Sequence, residues 1–186
     1  MGLDRRIGFS CTQAGIGFGG PCLGKDLQAL IYQARKHGCP VHLLEAALTV
    51  NRQRVGVVVS KLKKVLGDLR DKEIGILGVA FKPGTDDLRD SRALELAYRL
   101  QEEGARVRVN DPRARPGPGL AWAPTVTSLA QGSDALVLAT DWPDYAEVDW
   151  ESIRGLMRKA VFVDARNLLD PARMRRWGYH YRGVGR

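Results

Sequence analysis

The second half of the chain alternates short apolar runs with helical patterns, and this alternation constrains the fold more than any other feature. The apolar runs lie at residues 74–81, 106–110, 135–140 and 160–164. Helical patterns cover residues 91–103, 126–132 and 150–158, and a last short element lies near residues 179–182. Strands that alternate with helices through short connections indicate an α/β fold with a doubly wound parallel sheet.

The first part of the chain is glycine-rich at its start and helical afterwards. Apolar residues recur at helical spacing over residues 26–36, where a glycine and a proline end the pattern. A longer helix with a broad apolar stripe is predicted for residues 41–66. We therefore divide the chain into a helical segment, residues 1–68, and a sheet domain, residues 69–186.

Composition and charge argue against several classes of protein. A chain of 186 residues with 44% hydrophobic and 27% charged residues has the composition of a globular protein. The net charge of +8 is spread along the chain rather than clustered, which argues against a nucleic-acid partner. No apolar run reaches the roughly 18 residues of a membrane helix. We expect no membrane partner and no bound metal.

The three cysteines show no pairing pattern. Their odd number and irregular spacing argue against a disulfide framework and favour a reduced, cytoplasmic setting. Cys11 and Cys39 have no neighbours that would activate a thiol, so we expect both to be structural.

The glycine-rich loop at residues 15–26 is the strongest candidate for a chemical site. Four glycines in six residues suit a loop whose backbone closely approaches another group. Cys22 follows beside the start of a helix and close to Lys25, and both features favour the thiolate form. Asp26, one helical turn further on, could act on a water molecule at the sulfur. A glycine turn with a buried structural cysteine and an N-cap Asp26 is the alternative.

Charged residues near the ends of predicted strands are further candidates. Lys82 and Arg89 follow the first strand and could neutralise phosphate or be ordinary solvated charges. This turn carries G-x-x-G, and we expect no intact G-x-G-x-x-G dinucleotide fingerprint in the chain. Arg166 follows a later strand and could bind an anion, or pair instead with Asp164 or Asp170.

Several motifs together resemble the UDP-glucose/GDP-mannose dehydrogenase family over essentially the whole chain. They are GLDRRIG at residues 2–8, AGIGFGGPCLGKD at 14–26, the helix around Asn51, GVAFKPGTDDLRDS at 78–91, NDPRA at 110–114, ATDW at 139–142 and VDARNLLD at 163–170. The resemblance implies central dimerisation helices followed by a Rossmann-like domain that binds the nucleotide of a UDP-sugar. An NAD-binding domain precedes these parts in the family. We therefore expect the chain to be the central and C-terminal portion only, and to form a homodimer.

The resemblance also implies a reaction, the NAD-dependent oxidation of the C6 alcohol of UDP-glucose to a carboxylate. Cys22 would be the nucleophile that forms a thiohemiacetal and then a thioester, and Asp26 would help water to hydrolyse the thioester. Lys25 would take part near the nicotinamide, and Arg89 would approach the NAD, whose site lies mostly on the missing domain. The implied substrate residues are Arg6, which would reach a neighbouring subunit's substrate, Gly17, Phe18, Gly19, Gly20, Phe81, Lys82 and Arg166.

The sequence departs from the family at the loop that usually reads G-G-S-C-F-P-K-D. Pro21 replaces the serine and removes a backbone donor, Leu23 replaces the phenylalanine, and Gly24 loosens the turn that aims the cysteine. Without an NAD-binding domain the chain is expected to be inactive alone. It could also be one component of a split enzyme, with the N-terminal half on another chain. The further alternatives are a non-catalytic module for nucleotide-sugar binding or assembly, and half of a GDP-mannose dehydrogenase.

Overall fold

The computed structural model describes residues 2–9 and 12–185 of the chain. Two helices come first, α1 (Leu23–Lys36) and α2 (His42–Leu66). The strands are β1 (Glu73–Leu77), β2 (Arg106–Asn110), β3 (Ala121–Trp122), β4 (Ala135–Leu138), β5 (Val161–Asp164) and β6 (His180–Gly183). The remaining helices are α3 (Arg92–Glu102), α4 (Val126–Ala130), α5 (Trp150–Arg154) and α6 (Pro171–Arg176), with a 3₁₀ turn at Pro143–Ala146.

The six strands form one parallel sheet in the order β3-β2-β1-β4-β5-β6. The chain moves outward from β1 to β3, returns to place β4 beside β1, and moves outward again to β6. In sheets of this kind, ligands bind beyond the carboxyl ends of the strands where the order reverses. The predicted α/β fold, helices followed by a doubly wound parallel sheet, is confirmed.

Helices cover both faces of the sheet, as expected for right-handed crossovers in this strand order. α2 packs against α3 and β5, whereas α4 packs against α5, β1 and β2. Every residue of β4 and β5 is buried, which explains why their sequences are apolar on both faces. Val55, Val58 and Leu62 of α2 belong to the same hydrophobic core. The second half of α2 therefore packs as a layer on the sheet, and the division at residue 68 stays a prediction.

Several predicted boundaries are wrong by a few residues. β1 ends at Leu77 rather than residue 81, because Gly78 turns the chain with a φ of +84°. α1 begins at Leu23 rather than Asp26, and α5 ends at Arg154 rather than residue 158. Three short elements were not predicted, namely β3, the 3₁₀ turn and α6. Each has at most six residues, too few for a hydrophobic period to be visible.

Candidate functional site

The glycine-rich loop leads directly into α1, and Cys22 is the N-cap residue of that helix. The Cys22 side chain is exposed, and no side chain caps α1. The alternative with a buried cysteine and an N-cap Asp26 is therefore wrong. Asp26 lies in the first turn and donates its N–H to the Cys22 carbonyl at 2.8 Å, which places it one turn further along the helix.

A cleft of about 380 Å³ opens between the start of α1 and the start of α3. Lys25 and Gln28 of α1 line one wall, and Arg92 and Glu95 of α3 line the other. The glycine-rich loop lies between them, so the cleft combines polar side chains of both signs with closely approaching backbone. This arrangement suits a polar ligand better than an apolar one.

The backbone of Phe18 in this loop is held from two sides. Its N–H donates to Oδ1 of Asn51 at 2.8 Å, and its carbonyl accepts from Nδ2 of Asn51 at 3.0 Å. The same carbonyl accepts a hydrogen bond from Nε of Arg92 at 3.1 Å, and Arg92 also pairs with Glu95. The loop is therefore tied to α2 and α3 by its backbone.

The Arg166 side chain holds the loop from the sheet. Its Nε donates to the Ala139 carbonyl at 2.9 Å and its Nη1 to the Gly17 carbonyl at 3.3 Å, while Asp141 lies 3.8 Å from Nε. Burial lowers the pKa of the Arg166 guanidinium, and the charge of Asp141 partly offsets this. The Arg166 side chain makes neither of the ion pairs with Asp164 or Asp170 considered from the sequence, although its N–H donates to Asp164 at 3.0 Å.

The glycines before Cys22 pack against the turn that follows β1. A Cβ on Gly19 would lie 2.3 Å from the Asp90 carbonyl oxygen, and one on Gly20 would lie 2.6 Å from the Phe81 ring. Gly20 also donates its N–H to the Asp90 carbonyl at 3.3 Å. Larger residues would separate the two loops, so the glycines allow the cysteine loop to reach the carboxyl edge of the sheet.

Asp111, which follows β2, fixes the turn after β1. It is 1% exposed, and its carboxylate accepts five hydrogen bonds. The donors to its Oδ2 are the backbone N–H groups of Val79 and Ala80, at 2.7 and 3.0 Å, and the indole of Trp142 at 3.1 Å. Ser91 adds a contact to the same turn by donating to the Val79 carbonyl at 2.6 Å, and its side chain caps the start of α3.

Lys82 and Arg89 lie on the exposed side of this turn. The Lys82 ammonium is 5.4 Å from the centre of the Phe81 ring. Arg89 forms a two-pronged ion pair with Asp87, and this pairing raises the pKa of Arg89, with smaller contributions from Cys22 and Asp90.

Arg6 stands apart from these groups in the described chain. It pairs with Asp4 at 2.8 Å, and its side chain is 88% exposed. A role toward a neighbouring subunit therefore remains a prediction. Cys11 lies outside the described residues, and Cys39 is exposed at the far end of α1.

Asn51, Arg92 and Asp111 hold the site together, and sequence reasoning gave none of them a functional role. Asn51 was noted only as part of an apolar stripe and a family motif. Its burial, at 5% exposed, is the signal that could have singled it out, because a buried amide needs partners for both its oxygen and its nitrogen.

The fingerprint expectation needs a correction, because Gly15, Gly17 and Gly20 do have the G-x-G-x-x-G spacing. Among residues 2–9 and 12–185, however, no strand precedes them. The Cβ positions of Gly17 and Gly20 face Asn51 and Phe81 rather than open space, so the loop is not a pyrophosphate cradle. Lys25 and Arg89 are exposed cations among the described residues, and a place for them at a cofactor stays a prediction.

The described residues include neither a membrane-spanning helix nor a cluster of metal ligands. No helix there is both long and apolar enough to cross a membrane. No three His, Cys, Asp or Glu side chains in the described part of the chain are grouped so that they could hold a metal ion.

Comparison with known families gives two matches. Residues 75–171 match the UDP binding domain of the UDP-glucose/GDP-mannose dehydrogenase family, and residues 1–53 match the central domain of that family. Together the two matches include the cysteine loop, all of α1, about the first half of α2, and most of the sheet.

Similar proteins agree with these matches. The UDP-glucose 6-dehydrogenases of Bacillus subtilis and Pseudomonas aeruginosa are each 38% identical over the whole chain, which covers 42% and 44% of their lengths. A UDP-glucose dehydrogenase structure from Pyrobaculum islandicum is 37% identical, with a TM-score of 0.85 over 98% of this chain and 41% of that one. The chain thus spans less than half the length of these relatives.

Proposed function

The chain belongs to the UDP-glucose/GDP-mannose dehydrogenase family, and from this premise we propose that it forms the nucleotide-sugar half of a UDP-glucose 6-dehydrogenase site. One observation carries the proposal: the loop ending in Cys22 packs, through Gly20, against Phe81 in the turn after β1. A reactive sulfur and a nucleotide crevice thereby lie side by side. The relatives named UDP-glucose 6-dehydrogenase, at 38% identity, support UDP-glucose over GDP-mannose.

The substrate would lie along the carboxyl edge of the sheet. Phe81 offers an aromatic face for the nucleotide, and Lys82 an exposed ammonium for its phosphates. The backbone of residues 17–20 would wrap the sugar and point its C6 toward Cys22. Arg166, whose side chain is mostly used in holding Gly17 and Ala139, would act at the same crevice mainly by shaping it.

Cys22 would act as the nucleophile of the second oxidation. Its thiolate would add to the C6 aldehyde to give a thiohemiacetal, whose oxidation leaves a thioester. Water would cleave the thioester, releasing the carboxylate and the free thiol, and Asp26 would take a proton from that water. The exposed sulfur at the start of α1 and the carboxylate one turn away support this division of roles.

NAD, when bound, would accept the hydride in each of the two oxidations. Lys25 and Arg89 are the cations of this chain that would contact it, because both are exposed. Lys25 lies in the first turn of α1, and Arg89 precedes Asp90, whose carbonyl accepts a hydrogen bond from the Gly20 N–H. The other side of the cofactor would need groups from outside the described residues, either in the same protein or in a partner chain. Without them we expect substrate binding and no turnover.

A homodimer is part of the proposal. Leu43 and Tyr32, on the two helices of the central segment, are 86% and 66% exposed, and Leu30 is 55% exposed. Apolar side chains of this size in one region favour burial against a second copy. Arg6, free of contacts with the cleft of its own chain, would then reach the substrate of the neighbouring subunit. The cytoplasmic location expected from the cysteines stays a prediction.

Calorimetric titration with UDP-glucose and with GDP-mannose tests substrate choice. We expect saturable heat near one site per chain with UDP-glucose and weaker binding of GDP-mannose; the reverse order would favour the GDP-mannose branch. A mixing experiment tests catalysis. NAD is added together with the part of the Bacillus subtilis relative that does not align with this chain. NADH formation that is lost in Cys22→Ser supports the proposed chemistry.

A non-catalytic nucleotide-sugar module is the second candidate, favoured by Pro21 and Gly24 in the loop. It predicts that UDP-glucose binds with equal affinity to the wild type and Cys22→Ser, and that no partner portion yields NADH. The same mixing experiment therefore separates the two candidates.

A further inference from the structure

Asn51 holds the cysteine loop in a way that the proposed chemistry does not yet use. We propose that Asn51 of α2 is a positioning residue for Cys22, acting through the backbone of Phe18; this inference rests on the proposed function of the same site. Both polar atoms of its carboxamide bond to the backbone of one residue. Oδ1 accepts from the Phe18 N–H at 2.8 Å, and Nδ2 donates to the Phe18 carbonyl at 3.0 Å. Asn51 is 5% exposed, so the pair is shielded from water.

The loop needs such a clamp because its own sequence leaves it free. Phe18 is flanked by Gly17 on one side and by Gly19 and Gly20 on the other, and glycine has the largest backbone freedom of any residue. No strand of the described chain pairs with the loop to hold it in place. The two hydrogen bonds of Asn51 hold the loop in place of the backbone hydrogen bonds that a paired strand would make.

The fit between Asn51 and the loop is close. Gly17 has a φ of +106°, and a Cβ there would lie 2.4 Å from Oδ1 of Asn51. Only glycine both adopts this backbone conformation readily and leaves room for the carboxamide. Gly17 and Asn51 therefore act as a pair, because the absence of a side chain on Gly17 leaves room for the Asn51 carboxamide.

Few backbone torsions between Phe18 and Cys22 are free to rotate. The Gly20 N–H is held by the Asp90 carbonyl at 3.3 Å, and Pro21 has its φ fixed by its ring. Cys22 then begins α1. Fixing Phe18 and Gly20 therefore fixes where the Cys22 sulfur lies relative to the helix start and the cleft.

The two hydrogen bonds of Asn51 are not equally replaceable. The Phe18 carbonyl also accepts from Nε of Arg92 at 3.1 Å, so it keeps a donor when the Asn51 amide is lost. The Phe18 N–H has Asn51 as its acceptor. Asn51→Asp retains that acceptor. Asn51→Leu replaces the carboxamide by an apolar side chain of similar size and removes both hydrogen bonds, so the two variants should differ in how well they hold Phe18.

The test is the alkylation rate of each cysteine by iodoacetamide, followed by peptide mass spectrometry on the full chain. We expect Asn51→Leu to slow Cys22 by about two- to fivefold, the range that a helix N-terminus contributes to an exposed anion. Cys39, exposed at the far end of α1, is the internal reference and should not change. Asn51→Asp should recover at least half of the lost rate. Gln53→Leu, the same change at an exposed position of α2, should have no effect.

A Cys22 rate that is unchanged in folded Asn51→Leu would overturn the proposal, and so would an equal loss in Asn51→Asp and Asn51→Leu. If Asn51→Leu does not fold, Gly17→Ala displaces the carboxamide instead and should slow Cys22 in the same way; an unchanged rate there overturns the proposal equally. Because alkylation needs no substrate, these outcomes are independent of the proposed function. Failure of the wild type to bind any nucleotide sugar would remove that function and leave the clamp measurable.

Discussion

Gly20 lies against the ring of Phe81, so closely that a Cβ on Gly20 would come within 2.6 Å of two ring carbons. The two residues are far apart in sequence, one just before the exposed Cys22 and the other in the turn after β1. Their contact joins the segment with the exposed Cys22 thiol to the segment that would bind the nucleotide. A single missing side chain therefore decides whether the two halves of the site meet.

Replacing Gly20 by alanine should open this contact. Gly20→Ala adds a methyl group against the ring at a φ of +86°, and we expect a loss of about 1–3 kcal/mol in the free energy of unfolding. Gly24→Ala is the matched control, because a Cβ there meets no heavy atom within 4 Å inside a helix. That variant should gain about 0.5–1 kcal/mol. Urea unfolding measures both, and equal effects would contradict the packing described.

Lys82 should contribute to the binding of the phosphates. Lys82→Ala removes an exposed ammonium next to Phe81, and we expect the affinity for UDP-glucose to fall about tenfold, with a weaker dependence on salt. Affinity for uridine, which has no phosphate, should stay the same. Lys159→Ala, at an exposed position outside the crevice, is the control for net charge. An unchanged affinity in Lys82→Ala would show that the phosphates lie elsewhere.

Asp111 should contribute far more to the free energy of unfolding than a surface carboxylate does. Asp111→Ala leaves several buried donors in the turn after β1 without an acceptor, and we expect a loss of about 3–5 kcal/mol in the free energy of unfolding. Asp86→Ala, an exposed acidic residue of the same turn, should change stability little. Chemical denaturation of the two variants decides this, and similar values would contradict the role assigned to Asp111.

Tyr145 should make stability depend on alkaline pH. Burial raises the pKa of Tyr145 above the ordinary tyrosine value of about 10, so the folded chain keeps the phenol protonated after the unfolded chain has lost its proton. Its stabilising contribution is complete below pH 10 and declines as the pH rises above it. In Tyr145→Phe this alkaline decline should be smaller, although the raised pKa of Tyr179 preserves part of it.

The same substitution should cost about 1–2 kcal/mol at neutral pH, because the Tyr145 hydroxyl bonds to the Asn110 carbonyl at 3.0 Å and to its Oδ1 at 3.1 Å. Urea unfolding at pH 8 and pH 10.5 measures both effects, with the exposed Tyr98→Phe as control. Parallel pH profiles for wild type and Tyr145→Phe would contradict the assignment.

Much of the sheet could be predicted because its strands leave local patterns: β4 and β5 are buried on both faces and are continuous apolar runs, whereas β2 alternates between apolar and polar residues. The Arg106–Asn110 strand lies where the sequence pattern placed it, and α2 begins within one residue of its predicted start. The end of β1 could not be predicted, because Val79, Ala80 and Phe81 continue the apolar pattern after the strand has ended. Gly78 and the distant carboxylate of Asp111 set that turn, and no local pattern reports a contact between residues 31 or 32 positions apart.

The site was predicted unevenly for the same reason. Cys22, Lys25 and Asp26 could be proposed from local chemistry, since their spacing and the glycine loop are visible in one stretch of sequence, and their roles stay predictions. Asn51 and Arg92 hold the loop from 33 and 74 positions away, and neither residue type suggests such a contact. Arg166 stood out as a candidate anion ligand, whereas its side chain donates mainly to two backbone carbonyls.

The most direct test of the account is protection of Cys22 by substrate. The full chain is alkylated with iodoacetamide with and without saturating UDP-glucose, and the rates at Cys22 and Cys39 are compared by mass spectrometry. We expect UDP-glucose to slow alkylation of Cys22 at least severalfold, because the sugar end of the substrate would cover the sulfur. The alkylation rate of Cys39 should stay the same. Equal rates at Cys22 with and without UDP-glucose would contradict the claim that the cysteine loop and the nucleotide crevice form one site.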